Sequence, residues 1–234
     1  MASTAYPRGM IANSSATDAT SYATATSPTL TNGAVLTAWV ATVIAAGTPN
    51  TPTATGTNGL NGTWTAITNV VQDQIKLTLF RSTAQSTTAG VLTFDLAGQT
   101  NSAAAWGLTQ WANVNTTINV QSTTGTANAG TTIAWAAPLA AFGAAFNTTY
   151  AIACVAGSFL TVRSNITQGL MSIMAGSSIS GTEVSGADFY SGAEVNSPSI
   201  DSSGAGDIVG IAIEVSSNAS SGGGGSLVGG LLVR

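Results

Sequence analysis

The sequence predicts an all-β fold: a single antiparallel β-sandwich or jelly-roll-like domain over residues 21–216, with an extended N-terminal arm at residues 1–20 and a Gly-rich tail at residues 217–234. Three observations predict it. Thr, Ser, Asn and Gly are abundant throughout, whereas Glu, Lys, Arg and Leu, the better helix formers, are scarce. Roughly ten short runs of β-branched, aromatic and small apolar residues recur along the chain. Gly, Asn and Pro punctuate them at the spacing of a sandwich or jelly roll, and no helix of roughly 10 to 15 residues separates them, as a parallel α/β fold would require.

Taken in order, the N-terminal arm is rich in Ser, Thr and Ala. Residues 35–44 (VLTAWVATVI) are apolar without alternation, as expected of a strand covered on both faces. The turn-forming NGLNG precedes WTAITNV at residues 64–70. QIKLTLFR, residues 74–81, alternates cleanly, with Ile75, Leu77 and Leu79 on one face and Lys76, Thr78 and Phe80 on the other. GVLTFDL and AAAWGLTQWANV follow, then INVQST, TTIAW, TYAIACVA, FLTVRS and DIVGIAIEV. AAPLAAFGAAFNTT, residues 136–149, reads either as a short surface helix or as a loop of small residues. The tail holds four consecutive glycines at 222–225, whose ordering costs roughly 1–2 kcal/mol each, so an anchor is expected downstream. Leu227, Val228, Leu231, Leu232 and Val233, with Arg234, are the expected docking residues, entering a groove or adding a strand to a neighbour's sheet. Each apolar side chain among them is worth about 1.5–3 kcal/mol when fully buried.

Residues 62–115 hold a Gly-x-Trp-Thr strand at Trp64, an LxLFR strand ending at Arg81, Phe94 with Asp95, a GQT turn at Gly98, and Ala105 with Trp106. In these motifs the stretch resembles a β-sandwich domain of uncharacterised tailed-phage virion and bacterial surface proteins. A closing strand that ends in Glu214 adds to it. Where that pattern often has an acidic residue after the Ala-Trp strand, this chain reads LTQWANV. The resemblance implies a domain displayed on a particle or cell surface, with no catalytic residues attached to its motifs.

Composition narrows the function classes. Only 14 side chains are charged, Lys and Arg 5 against Asp and Glu 9, a quarter of the usual share, and Ser, Thr and Asn make up about a third of the chain. A hydroxyl and amide surface with so little charge favours association over isolation. The net charge of -4 and the scattered Arg8, Lys76, Arg81, Arg163 and Arg234 argue against nucleic acid. The longest apolar run, about 13 residues, is too short to span a membrane. The N-terminus lacks the apolar core of a signal peptide, so synthesis in a host cytoplasm is expected.

With no His, the Ser-His and Cys-His nucleophiles are excluded, and Cys154, within an apolar alternating run, reads as a buried structural thiol. The remaining acid/base option is a carboxylate pair among Asp73, Asp95, Glu183, Asp188, Glu194, Asp201, Asp207 and Glu214. Residues 183–207 read as a long, mildly acidic loop, in which calcium binding is weighed below a solvated role. The five tryptophans fall in strand-like segments and read mainly as packing residues; Trp111 is the best candidate for a contact surface, because its spacing of five from Trp106 puts the two on opposite faces. Phe189 and Tyr190 join it as candidate ligand or contact residues. Six Asn-x-Ser/Thr sequons are read as chance products of the composition.

The expectation is therefore a non-enzymatic structural protein of a tailed-phage virion, without cofactor or metal: a capsid decoration or cement protein, or a tail accessory. Its partners would be copies of itself, with a trimer as the analogy, and the major capsid or tail protein. The alternative is a receptor-binding or carbohydrate-binding module on a tail or cell surface.

Overall fold

A computed structural model of the chain describes residues 5–144, 146–156, 162–164, 175–179 and 182–218. Among the described residues the regular structure is all strand, apart from one short 3-10 turn at Asn58–Leu60, and no helix is long and apolar enough to cross a membrane. The strands form three antiparallel sheets. The first has five strands in the order β1 (Tyr6–Ser15), β8 (Ala103–Ala112), β3 (Val35–Val43), β6 (Ile75–Thr83) and β5 (Thr65–Gln72). The second runs β10 (Ala134–Trp135), β9 (Val114–Thr132), β15 (Ile200–Ser217), β11 (Thr148–Ala156), β14 (Thr182–Tyr190) and β13 (Ala175–Ile179), with β12 (Val162–Ser164) paired to β15. The third is small: β2 (Ser21–Ala23), β7 (Leu92–Asp95) and β4 (Thr53–Gly56).

The five-stranded sheet lies in the middle, and the side-chain period of two sorts its residues between two cores. Odd-numbered residues of β3, β6 and β8, among them Trp39, Leu77 and Trp111, meet Tyr150, Ile152, Val209 and Ile211 of the seven-stranded sheet. Even-numbered residues of the same strands, among them Leu36, Phe80 and Trp106, pack under Tyr22, Leu92 and Phe94 of the small sheet and under Leu30, Leu60 and Leu96. A third core lies on the far face of the seven-stranded sheet, where Ala151, Ala187, Phe189 and Ile208 are covered by Ile133 and Leu139. The unbroken apolar reading of β3 thus has a simple cause: both of its faces are buried.

Most of the strands expected from the sequence are present, and the layered sheets are consistent with the β-sandwich class. Trp106 and Trp111 do lie on opposite faces of β8, and the two faces of β6 divide as the alternation predicted. Two expectations are corrected, and one left open is decided. Residues 6–15, read as part of an arm, are extended but belong to the sheet, because β1 pairs along β8 from Tyr6↔Ala112 to Ser15↔Ala104. Residues 183–190, read as part of an acidic loop, belong to β14, whose Val184 is buried against the five-stranded sheet and whose Ala187 and Phe189 are buried under Ile133 and Leu139. Of the helix-like stretch 136–149, the described residues before β11 are turns and irregular chain.

Trp39 sets the fit between the two larger sheets. Its indole lies over Gly107 of the adjacent strand β8 and against Gly186 of β14 opposite. A Cβ at Gly107 would come within 2.4 Å of Trp39 Nε1, and one at Gly186 within 2.7 Å of Trp39 Cη2 and 2.8 Å of Cys154 Sγ. Both glycines are thus dictated by volume rather than by backbone conformation. Gly107→Ala and Gly186→Ala are each expected to destabilise the protein by about 1–3 kcal/mol through overpacking, read as a lowered denaturant midpoint with an unchanged slope.

Candidate functional site

The most concentrated chemistry lies beside Trp39, in the core between the two large sheets. Asp188 on β14 is fully buried, and its Oδ2 accepts a 2.7 Å hydrogen bond from the Tyr150 hydroxyl of β11. The Trp39 indole N–H and the Thr109 hydroxyl favour its ionised form, yet neither closes a hydrogen bond of ordinary length, and Oδ1 has no partner. Loss of water outweighs these donors and pushes the Asp188 carboxyl up from 3.8 to about 7. Burial, with the neighbouring Asp188, also raises the Tyr150 hydroxyl and the Cys154 thiol well above their ordinary values. A thiol kept protonated in this way is a packing group.

The other described carboxylates with assigned partners are held as structural acceptors. Glu214, on the outer face of β15, accepts from Asn147 Nδ2 at 2.6 Å and Gln121 Nε2 at 2.7 Å. Asp207 takes the backbone N–H of Ala129, Asp73 takes Asn128 Nδ2, and Glu194 takes the N–H of Phe142 and Nδ2 of Asn196. Asp95 closes its own turn on the Ala97 N–H. Among the described residues no three Asp, Glu, Cys or His side chains gather as a metal-binding set.

A surface site is built where the two ends of the described chain meet. Ala5 is buried in the main core, and its carbonyl accepts a hydrogen bond from the Tyr190 hydroxyl at the end of β14. Tyr190 packs edge-on against Trp111, with centroids 5.9 Å apart at 66°, and Trp111 against Tyr150 at 5.1 Å and 86°. The Trp111 indole N–H donates to Thr37 Oγ1 at 2.8 Å. Two residues on, Asn113 adopts a positive φ of 57°, a conformation Asn tolerates, and turns the chain from β8 directly into β9. There the other end arrives: Ser217 pairs with Val114, and the Asn218 N–H donates to the Asn113 carbonyl at 2.7 Å.

Between these ends lies a groove of about 330 Å³ whose walls include Arg8, Thr31, Val35, Trp111, Asn113 and Asn218. Through Arg8 and Thr31 it adjoins a second hollow of about 280 Å³ walled by Leu30, Leu36 and Leu108. Gln110 Oε1 holds the rim by accepting the Thr31 N–H at 2.7 Å. The combination of mixed polar and apolar walls with one guanidinium suits an extended chain segment that carries apolar side chains and a carbonyl or carboxylate. Tyr6, 44% exposed, starts β1 close by in sequence to Arg8.

Of the residues singled out from the sequence, Trp111 and Tyr190 are brought together here, but not as a free aromatic platform. Trp111 is only 2% exposed and Tyr190 is partly buried, because the Ala5 segment and the opposing sheet close over them. Phe189 points the other way, into the third core, and is not a surface residue. Leu227, Val228, Leu231, Leu232, Val233 and Arg234 lie outside the described residues. Arg8 and Asn218, which complete the groove, were missed. Their only signal was position, since each sits in a segment assigned to an arm or a tail.

Fold and site together define an all-β protein of packed antiparallel sheets whose described ends converge on one groove. Comparison of the chain with protein-family models, with curated proteins and with solved structures gave no match.

The Asp188 cluster has a pH signature. Between 3.8, where a free aspartate titrates, and about 7, unfolding releases a proton, so stability falls as pH rises through this window. The slope is at most about 1.4 kcal/mol per pH unit, and it is expected to vanish in Asp188→Asn when unfolding is followed by denaturant titration across the range.

Proposed function

We propose that this chain is a structural protein of a tailed-bacteriophage virion, a capsid decoration or cement protein or a tail accessory, and that it assembles through its terminal segments. One observation carries the reading: Ala5 and Asn218, the described residues nearest the two terminal segments, lie at the same grooved edge, with Ala5 tied to Tyr190 and Asn218 to Asn113. The Arg8-bearing groove beside them, with mixed polar and apolar walls that continue into the hollow of Leu30, Leu36 and Leu108, is a natural place for one subunit to engage the next. The scarcity of charge supports the same reading, since a weakly repelling surface favours packed assemblies. So does the resemblance of residues 62–115 to virion and surface domains. The partners in this reading are further copies of the chain and the major capsid or tail protein, and the protein resides in the particle.

The tail beyond Asn218 supplies the docking residues. Deleting residues 227–234 is expected to leave the unfolding transition of the sandwich in place and to abolish incorporation into particles; normal incorporation of the truncated chain defeats the proposal. Purified full-length protein added to particles lacking it is expected to bind and raise their resistance to heat. Failure on both counts rules out the cement role. Replacing Tyr6 with Ser together with Arg8 with Ala is expected to weaken incorporation without loss of folding.

A further inference from the structure

We propose that residues 227–233 fold back into the groove beside Arg8 of their own subunit, so that a free chain holds its docking segment in place and passes it to a neighbour only on assembly. The inference rests on the assembly reading and names what occupies that groove beforehand. Its first ground is where the chain departs. Asn218 is itself a wall of the groove of about 330 Å³, and its N–H is held on the Asn113 carbonyl at 2.7 Å. Only eight residues, 219–226, separate it from Leu227, and four of them are glycine. Gly- and Ser-rich linkers of that length span about 14–17 Å on average and at most about 26–29 Å. Such short linkers hold a tethered segment at an effective concentration in the millimolar range, so a subunit at about 1 µM meets its own segment roughly a thousand times more often than a neighbour's.

The second ground is that groove and segment are divided in the same way. The groove of Val35 and Trp111 and the hollow of Leu30, Leu36 and Leu108 share two residues, Arg8 and Thr31, which form the ridge between them. The segment has one aliphatic block at Leu227 and Val228, another at Leu231, Leu232 and Val233, and Gly229 with Gly230 between. Each block reaches one hollow while the two residues without side chains cross the ridge. Arg8 is placed for that crossing by a break in β1: the register passes from Pro7↔Trp111 to Gly9↔Gln110, which leaves Arg8 as the extra residue of a bulge. Bulges re-aim a side chain, and this one lines both hollows, with its planar fork able to donate to the carbonyls of the crossing glycines. The rim is already ordered, since the Ala34 N–H donates to the Thr31 carbonyl at 2.9 Å and the Gly33 N–H to the Ala84 carbonyl at 2.8 Å. Docking therefore has to order the segment alone.

The test is the alkylation rate of a thiol placed on the ridge of the full-length chain by Thr31→Cys, the native Cys154 being buried. This thiol is expected to react at least about tenfold more slowly than in a chain that also carries Leu231→Ser and Leu232→Ser, and by the same factor at about 1 µM and about 100 µM protein. A thiol introduced by Thr65→Cys on β5, at the opposite edge of the central sheet, is expected to react alike with and without the tail substitutions. Equal rates at the ridge in the two backgrounds overturn the proposal. Slowing that grows with protein concentration overturns it too, by giving the groove to a neighbour's segment, as does an equal acceleration at Thr65→Cys, which marks a loosened fold. Should Thr31→Cys fail to fold, Thr29→Cys, exposed on the rim of the smaller hollow, carries the same expectation and the same power to overturn. The measurement needs no particles, so its failure and a failure of incorporation are read separately.

Discussion

The fit of Trp39 between Gly107 and Gly186 is the contact on which the rest of the structure depends. Packed sheets stand about 10 Å apart, a spacing that a tryptophan fills only where the facing positions carry no side chain. With the indole seated, β3 and β8 of the central sheet come into register against β11, β14 and β15, and their odd- or even-numbered apolar residues close into one core. The same closure seals Asp188 with Tyr150, Thr109 and Trp111 away from water. A buried carboxyl is costly, and this one is kept neutral over the acidic range rather than neutralised by a cation. The packing geometry thus determines the electrostatics, and not the reverse.

Covering the central sheet on both faces accounts for the unusual composition. Strands buried on two sides need apolar or small side chains at every position, which leaves few places for charge. The hydroxyls of Thr37, Thr42, Thr78 and Thr109 occupy buried positions in this sheet, with Thr37 accepting from Trp111. At its edges, β1 and β5, the sheet carries the two large apolar side chains exposed among the described residues, Tyr6 and Val71. Exposed edges are where a sheet protein meets others, and the groove between the described ends lies at the β1 edge.

How much was legible in the sequence depended on whether a signal was local. β6 announced itself through the alternation of Ile75, Leu77 and Leu79 with Lys76, Thr78 and Phe80, because period two is a property of a single strand. β14 did not, since TEVSGADFY mixes acids and small residues in a pattern that also suits a loop; only the neighbours that bury Val184, Asp188 and Phe189 make it a strand. β1 was hidden for a similar reason. Its polar YPRGMIANSS has little apolar periodicity and is recruited by the free edge of β8. Trp111 and Phe189 were candidates for a contact surface, yet each is covered, and by segments distant in the chain.

By itself the sequence determined the all-β class, the strands with apolar runs or clean alternation, and the opposite facing of Trp106 and Trp111. All of these follow from the geometry of one extended chain. Only the tertiary structure decided that the sheets stack with the five-stranded one in the middle, that Asp188 lies beneath Tyr150, and that Ala5 and Asn218 flank one groove with Arg8. Residues 5 and 218 stand at opposite ends of the described chain, and no local pattern records such a meeting. It arises because β1 and β9 are both bound to the Trp111 end of β8, one by pairing and the other through the turn at Asn113.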